Sequence, residues 1–356
     1  MLLDELIQMM IGMTDDQLRK IKSFILMKLS IKDPTDTKET IVSFCPHCKS
    51  IHIIKYGIKN GKQRFFCKNC KKVFMPTTNT ITFKSKHSLE TWSNYVSSMI
   101  AGMSLRDAAN VCGISHKTAF YWRHKIMGSL NEVLDGKLTL QDIVEADETF
   151  FPVSYKGNHK LSKTFVMPRK PRHRGSEIHK RGISDEQVCV SCMVDNHNNQ
   201  HAGIAGVGRI TTKQLINLNK VKSGAILITD KASSYKKYAE KFCFDLIQLK
   251  ADKEYKRGMY SLAHVNAFHS GLKRFLRPFN GVSTKHLGNY LNWYIWLNQT
   301  AQMMFDARSD NMLDSAIQHP FKITDVEIHQ KRSTASGGVT ILLKMYFVFI
   351  NNAILL

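Results

Sequence analysis

Four cysteines place the tightest constraint on this chain. Cys45-Pro-His-Cys48 is followed, after eighteen residues, by Cys67-Lys-Asn-Cys70. Each CxxC knuckle turns two sulfurs toward one point, and two knuckles at this separation suit tetrahedral thiolate coordination of Zn²⁺. The intervening "IHIIKYGIKNGKQRFF" alternates as a β-hairpin with its turn near Asn60-Gly61. So small a module has almost no apolar core, so the metal is what should fold it. His47 and His52 read as exposed hairpin residues rather than ligands. Lys55, Lys59, Lys62, Arg64, Lys68, Lys71 and Lys72 give the ribbon a basic, aromatic-bearing surface suited to phosphate contacts.

Charge points to the same class of partner. Lys and Arg number 51 against 29 acids, a formal net charge of +22, so a stable partner should be polyanionic, with nucleic acid the leading case. The charge is also clustered: between Lys156 and Arg181 lie nine Lys/Arg and one acid, Glu177. Within that stretch Arg169, Lys170, Arg172 and Arg174 are candidate DNA contacts, and two prolines argue against a regular helix. The opening "MLLDELIQMM" carries acids where a secretory leader needs a basic region, so the expectation is a cytoplasmic protein with reduced or metal-bound cysteines. Lys344, Asn351 and Asn352 interrupt the apolar C-terminal tail, and no membrane span is expected.

Thr14 and Gln17 have capping-box spacing ahead of a helix expected over about 15–29, and the segment around Pro34 reads as a linker. Further on, "LRDAANVCGISHKTAFYWRHKI" has the layout of a helix-turn-helix. Leu105, Ala108 and Ala109 form its buried face, Gly113 the turn, Ser115 a cap, and Ala119 and Trp122 the anchors of the second helix. That helix is expected to show His116, Lys117, Tyr121, Arg123 and Lys125 to solvent, a set suited to a major groove, although plain helical hairpins share the pattern.

From residue 140 strands alternate with helices, which implies a mixed α/β sheet. Its first strand, "IVEADETFF", carries Glu145, Asp147 and Glu148 inside an apolar run. A carboxylate in a central strand costs several kcal/mol unless a cation or a metal ion lies beside it. Alternation puts Glu145 and Asp147 on one face and Glu148 on the other, and Asp147 is the favoured ligand. A later strand, "AILITD", stops at Asp230, where open α/β sheets carry ligand groups; the competing role is a helix cap. Two such aspartates would make an oxygen-rich site for Mg²⁺. In "HVNAFHSGLKRFLRPF", Asn266, Ser270 and Lys273 share a helix face apart from the stripe of Phe268, Leu272, Phe275 and Leu276. Cys112, Cys189, Cys192 and Cys243 read as core residues.

The order of these motifs, a CxxC/CxxC ribbon, a helix-turn-helix, "EADETFF", "ITDKASSY" and "HVNAFHSGLKRFLRPFNGVSTKHLGNYLNW", resembles insertion-sequence transposases of the zinc-ribbon branch, with an RNase H-like catalytic domain. The resemblance covers about residues 41–305. It implies that Asp147, Asp230 and Asn266 bind two Mg²⁺ or Mn²⁺ ions, with Lys273 acting beside them on the phosphate. Asn266 stands where the commonest pattern has Glu, leaving one negative charge fewer; Glu254 is a weaker substitute. The implied organisation is an N-terminal segment at 1–40, a zinc ribbon at 41–76, a helix-turn-helix region at 85–130, an RNase H-like domain at 140–305 with a basic insertion at 156–181, and a tail at 306–356. The implied function is DNA strand cleavage and strand transfer by a homo-oligomer on double-stranded element ends and target, at the prokaryotic nucleoid. The alternatives are an inactive DNA-binding regulator of the same descent and a nuclease without strand transfer.

Overall fold

The computed structural model describes residues 13–14, 17–18, 21, 42–59, 61–135, 139–157, 182–249, 256–318 and 323–330. The chain divides into two compact units, one formed by Met1–Lys137 with Trp296–Gln330, the other centred on Leu138–Ile295. The basic stretch with Arg169, Lys170, Arg172 and Arg174, and also Glu254, lie outside the described residues. Most of the helix expected at 15–29 does too, but its capping box is in place: Thr14 N donates to Gln17 Oε1 at 2.9 Å and Gln17 N donates to Thr14 Oγ1 at 3.4 Å. Among the described residues no helix is long and apolar enough to cross a membrane.

In the first unit, β1 (Ile53–Lys59), β2 (Lys62–Cys67) and β3 (Val73–Phe74) form an antiparallel sheet in that order. The β1–β2 turn needs a residue in the left-handed region, which Gly61 supplies at φ 71°. The apolar content of this module is small, with Cys45, Cys67 and Phe74 buried at its centre. Helices α1 (Leu89–Ile100), α2 (Leu105–Val111) and α3 (His116–Asp135) follow. Ser88, Ser104 and Ser115 each accept a backbone N–H from the first turn, which satisfies donors that would otherwise be orphaned at the helix starts. Gly113, at φ 62°, makes the α2–α3 turn, and the Trp92 and Trp122 rings stack in the core between α1 and α3.

Two residues expected on an exposed recognition face are buried. Tyr121 is 5% exposed and Arg123 1%, and Arg123 Nη2 donates to Met103 O at 2.9 Å. Arg123 is held by the loop ahead of α2, and from outside the helix-turn-helix α8 (Phe305–Gln318) and α9 (Asp325–Gln330) pack on α3, so this helix is central rather than peripheral. Lys125 is partly covered as well and pairs with Asp325 at 3.0 Å. His116 and Lys117, in the first turn of α3, remain exposed.

The second unit is a five-stranded sheet with α4 (Thr212–Asn217) and α5 (Ser234–Phe242) on one face and α6 (Ala263–Leu276) on the other. Its strands are β4 (Ile143–Pro152), β5 (Gln187–Asp195), β6 (Gln200–Val207), β7 (Ile226–Thr229) and β8 (Asp245–Gln248), in the order β6-β5-β4-β7-β8. The first three pair antiparallel; β7 and β8 join parallel to β4. This is the RNase H-like arrangement. Alternation sends Val144, Ala146, Cys189, Met193 and Leu227 to the α4–α5 side, where they bury against Leu215, Tyr235 and Tyr238. On the opposite face α6 buries Val265, Phe268 and Leu272, and α7 (Thr284–Gln299) packs the Tyr294 ring, tilted, against Phe268 and Phe275. Gly271 allows that approach, because a Cβ there would lie 2.1 Å from Tyr294 Oη.

Candidate active site where β7 ends beside β4

Strand register brings the two sequence-predicted aspartates together. Ala146 of β4 pairs with Thr229 of β7, and this is the last rung of that ladder. Asp147 and Asp230 are the next residue on each strand, so their backbones start about 5 Å apart, the spacing of neighbouring strands. β7 is a short apolar strand that ends there because the chain turns into α5. Asp230 does not cap that helix, whose N-cap is Ser233. Instead Asp230 Oδ1 accepts from Ala232 N at 3.0 Å, shaping the turn. Gln248, at the end of β8, fixes the same turn by donating Nε2 to Asp230 O at 3.0 Å and to Ala232 O at 3.2 Å.

Asp147 sits in a place hostile to its charge. Burial pushes its carboxyl up to about 6; Asp230 adds to the rise, while the Glu148 N–H and the Lys273 ammonium oppose it. One oxygen is committed, Oδ1 accepting from Glu148 N at 2.8 Å, and Oδ2 lies 3.8 Å from His269 Nδ1. Burial and Lys273 push His269 down to about 4, which keeps the ring neutral, and its buried Nε2 has no partner among the described residues.

Helix α6 brings the remaining residues. Its start is held to the sheet by Glu145, whose Oε2 accepts from the backbone N–H groups of His264 and Val265 at 2.8 and 3.0 Å and whose Oε1 meets His264 Nδ1 at 2.7 Å. A carboxylate at a helix N-terminus is stabilised by the exposed donors and the dipole together, which is how β4 tolerates this buried acid. Asn266, His269 and Lys273 follow on one face at spacings of three and four. Because His269 lies against Asp147 and Lys273 acts on its charge, the face bearing Asn266 is the one turned to the acidic pair. Asn266 and Lys273 are both exposed.

The third acid of "EADETFF" points to the other face. Tyr235 Oη donates to Glu148 Oε1 at 2.5 Å, and burial pushes the Glu148 carboxyl up to about 7, with Asp147 and Asp230 adding to it against that hydrogen bond. The sequence alone missed the tethers: Glu145 as the anchor of α6, the Glu148–Tyr235 pair, Gln248, and His269 beside Asp147. For Glu145 and Glu148 a signal existed, since buried acids need partners; the identity of those partners depends on tertiary approach.

A second cluster lies in the ribbon. The sulfurs of Cys45, Cys48, Cys67 and Cys70 all lie within 4.8 Å of one another, and among the described residues this is the one group of three or more His, Cys, Asp or Glu residues close enough to hold a metal ion. Backbone N–H donation from Cys70 is the main influence that brings the Cys67 thiol down to about 6, toward the thiolate form a metal requires. Cys189 and Cys192 are buried in β5 and belong to no such group among the described residues, whereas Cys243, expected in the core, is exposed.

Residues 139–296 match the ISXO2-like transposase domain. A protein of the transposable element ISH50 from Halobacterium salinarum is 24% identical over 252 residues, which is 70% of this chain and 82% of that one. Among solved structures, a pre-cleavage Mos1 transpososome and a Mos1 transposase paired-end complex with left transposon end are each 13% identical. They cover 62% and 64% of this chain and 77% and 79% of those chains, with TM-scores of 0.22 and 0.23. At those scores the superpositions assign no residue a role. Residues 139–296 are thus similar to a transposase domain, and the relative that matches 70% of the chain belongs to a transposable element.

Proposed function

We propose that this chain is an insertion-sequence transposase that cuts and joins DNA at the ends of its element by metal-assisted phosphoryl transfer, with Asp147, Asp230 and Asn266 holding Mg²⁺ or Mn²⁺. The observation that carries the reading is the β4–β7 register, which sets Asp147 and Asp230 side by side where β7 ends against the middle of β4. The donor set fits a hard dication: two carboxylates whose charges oppose each other, each with one oxygen uncommitted to the backbone bonds above, and an amide oxygen within the same helix face. Bound ions would activate a water or 3′-hydroxyl and stabilise the leaving oxygen. Around them the chain's own groups have separate work. Glu145 fixes the height of α6 against β4, and Lys273 presents a point cation to the phosphate beside the scissile bond. His269, kept neutral by its surroundings, leaves the negative charge of Asp147 available to a metal rather than neutralising it.

In the same reading the four ribbon thiols hold Zn²⁺, and the ribbon's lysines with His116 and Lys117 grip double-stranded DNA. Tyr121 and Arg123 leave that set because they are buried, and Lys125 enters it only by giving up Asp325. The basic 156–181 stretch contacts flanking or target DNA, and the working form is a homo-oligomer on DNA at the nucleoid of a prokaryotic cell.

The test is cleavage of labelled element-end DNA. Asp147→Asn or Asp230→Asn should abolish Mg²⁺-dependent cutting with end binding intact, and undiminished cutting by either overturns the assignment. Asn266→Ala should raise the Mg²⁺ requirement; an unchanged requirement removes it from the site. Joined products, as opposed to cleavage alone, separate strand transfer from a simple nuclease.

A further inference from the structure

The β4–β7 ladder ends at Ala146 and Thr229, one residue short of both aspartates. Beyond that rung no backbone pairing holds Asp230 at a fixed distance from Asp147. What lies beyond it is a turn, Asp230 to Ser233, fastened on its far side to β8 by Gln248. On the near side the described residues supply one side-chain tie to β4: Tyr235 Oη to Glu148 Oε1. Tyr235 is fully buried in the α5 core and Glu148 immediately follows Asp147. Each end of the tie is therefore rigid, and each is coupled through a few covalent bonds to one aspartate.

We propose that Glu148 and Tyr235 are positioning residues: their hydrogen bond, made through the sheet on the face away from the site, sets the separation of Asp147 and Asp230 and so the affinity of the pair for a divalent cation. The inference rests on the proposed metal site and adds to it two residues that touch neither metal nor DNA. It explains why β4 carries a third acid facing the opposite side of the sheet. Residues that orient metal ligands from behind set affinity more than they set the chemistry once the metal is bound.

The experiment uses the full chain with its ribbon zinc-loaded and Mn²⁺ as probe, binding being followed by loss of the free-ion electron paramagnetic resonance signal. Tyr235→Phe keeps the buried ring and removes only the donor; it should raise the Mn²⁺ dissociation constant about tenfold, with cleavage recovering at saturating Mn²⁺. Glu148→Gln keeps an acceptor for the tyrosine and should stay within about threefold of wild type, whereas Glu148→Ala should weaken binding as Tyr235→Phe does. Wild-type Mn²⁺ affinity in Tyr235→Phe, whatever its melting temperature, overturns the inference and leaves the metal site standing. Loss of all Mn²⁺ binding in Glu148→Gln, matching Asp147→Asn, overturns it differently, because Glu148 would then be a ligand. If wild type shows no Mn²⁺ binding that Asp147→Asn removes, the metal site itself falls and this inference falls with it.

Discussion

Replacing Asp147 by Asn should stabilise the metal-free protein while removing activity, and the size of the gain follows from the surroundings of the carboxyl. Its pKa rises from an ordinary 3.8 to about 6, chiefly through burial. Between those values the native state holds a proton that the unfolded chain has released, so stability falls as pH rises through that window. Above about pH 6 the whole cost is present, and at roughly 1.4 kcal/mol per tenfold change it amounts to about 3 kcal/mol. Asn keeps the acceptor for Glu148 N and removes the charge, so at pH 7.5 the variant should gain about 1–3 kcal/mol. Near pH 5 about half of that gain should remain, and near pH 4 about a fifth. Native-state hydrogen exchange of peptides from β4 and β5, on the whole chain in Mg²⁺-free buffer with the ribbon zinc-loaded, reads this unit directly. Added Mg²⁺ should then stabilise wild type and leave Asp147→Asn unmoved, because only a bound dication removes the cost without removing the charge. A variant less stable than wild type at pH 7.5, or one whose gain is the same at pH 5, would refute the claim that burial of an uncompensated carboxylate is what the metal relieves.

Gly271→Ala should cost about 1–3 kcal/mol, because the new methyl meets Tyr294 Oη and that ring is held between Phe268 and Phe275; adding Tyr294→Phe should recover most of the loss in a urea melt. Arg123→Ala should lower stability by about 2–4 kcal/mol through lost packing and an unpaired Met103 carbonyl, while His116→Ala and Lys117→Ala should weaken DNA binding in a gel-shift assay with melting unchanged. Cys45→Ser should release the metal from the ribbon and abolish its fold, seen as loss of bound Zn²⁺ in elemental analysis and rapid proteolysis confined to residues 42–76.

What the sequence disclosed and what it hid divide along a physical line. Local codes were legible: the CxxC spacing, the Ser115 cap, Gly113 in its turn, and the abrupt end of β7 before Asp230 each rest on interactions a few residues long. The facing of Glu145 and Glu148 to opposite sides of the sheet was legible too, since the strand period is two. The burial of Tyr121 and Arg123 was not: the helices that pack on α3 come nearly two hundred residues later, the carbonyl that takes Arg123 belongs to Met103 in another loop, and neither leaves a trace in the local pattern of α3. An arginine and a tyrosine at solvent-facing phase look alike whether the solvent is replaced by DNA or by another helix.

The acidic strand shows how much negative charge a β-strand can hold when each charge is answered differently. Glu145 is answered by helix N–H groups, which cost nothing further to keep in place because α6 must end somewhere. Glu148 is answered by a single hydroxyl donor and by holding its proton to about neutrality. Asp147 receives one backbone N–H and a distant lysine, and its carboxyl remains displaced to about 6. Of the three, it is the one on the α6 face that no helix N-terminus answers, and it lies one residue past the rung that brings β7 and Asp230 alongside. A buried carboxylate left beside a second one, at the point where β7 ends against the middle of β4, is what the proposed dication would complete, and perturbed acids gathered in this way are more common at functional sites than in scaffolding sheets.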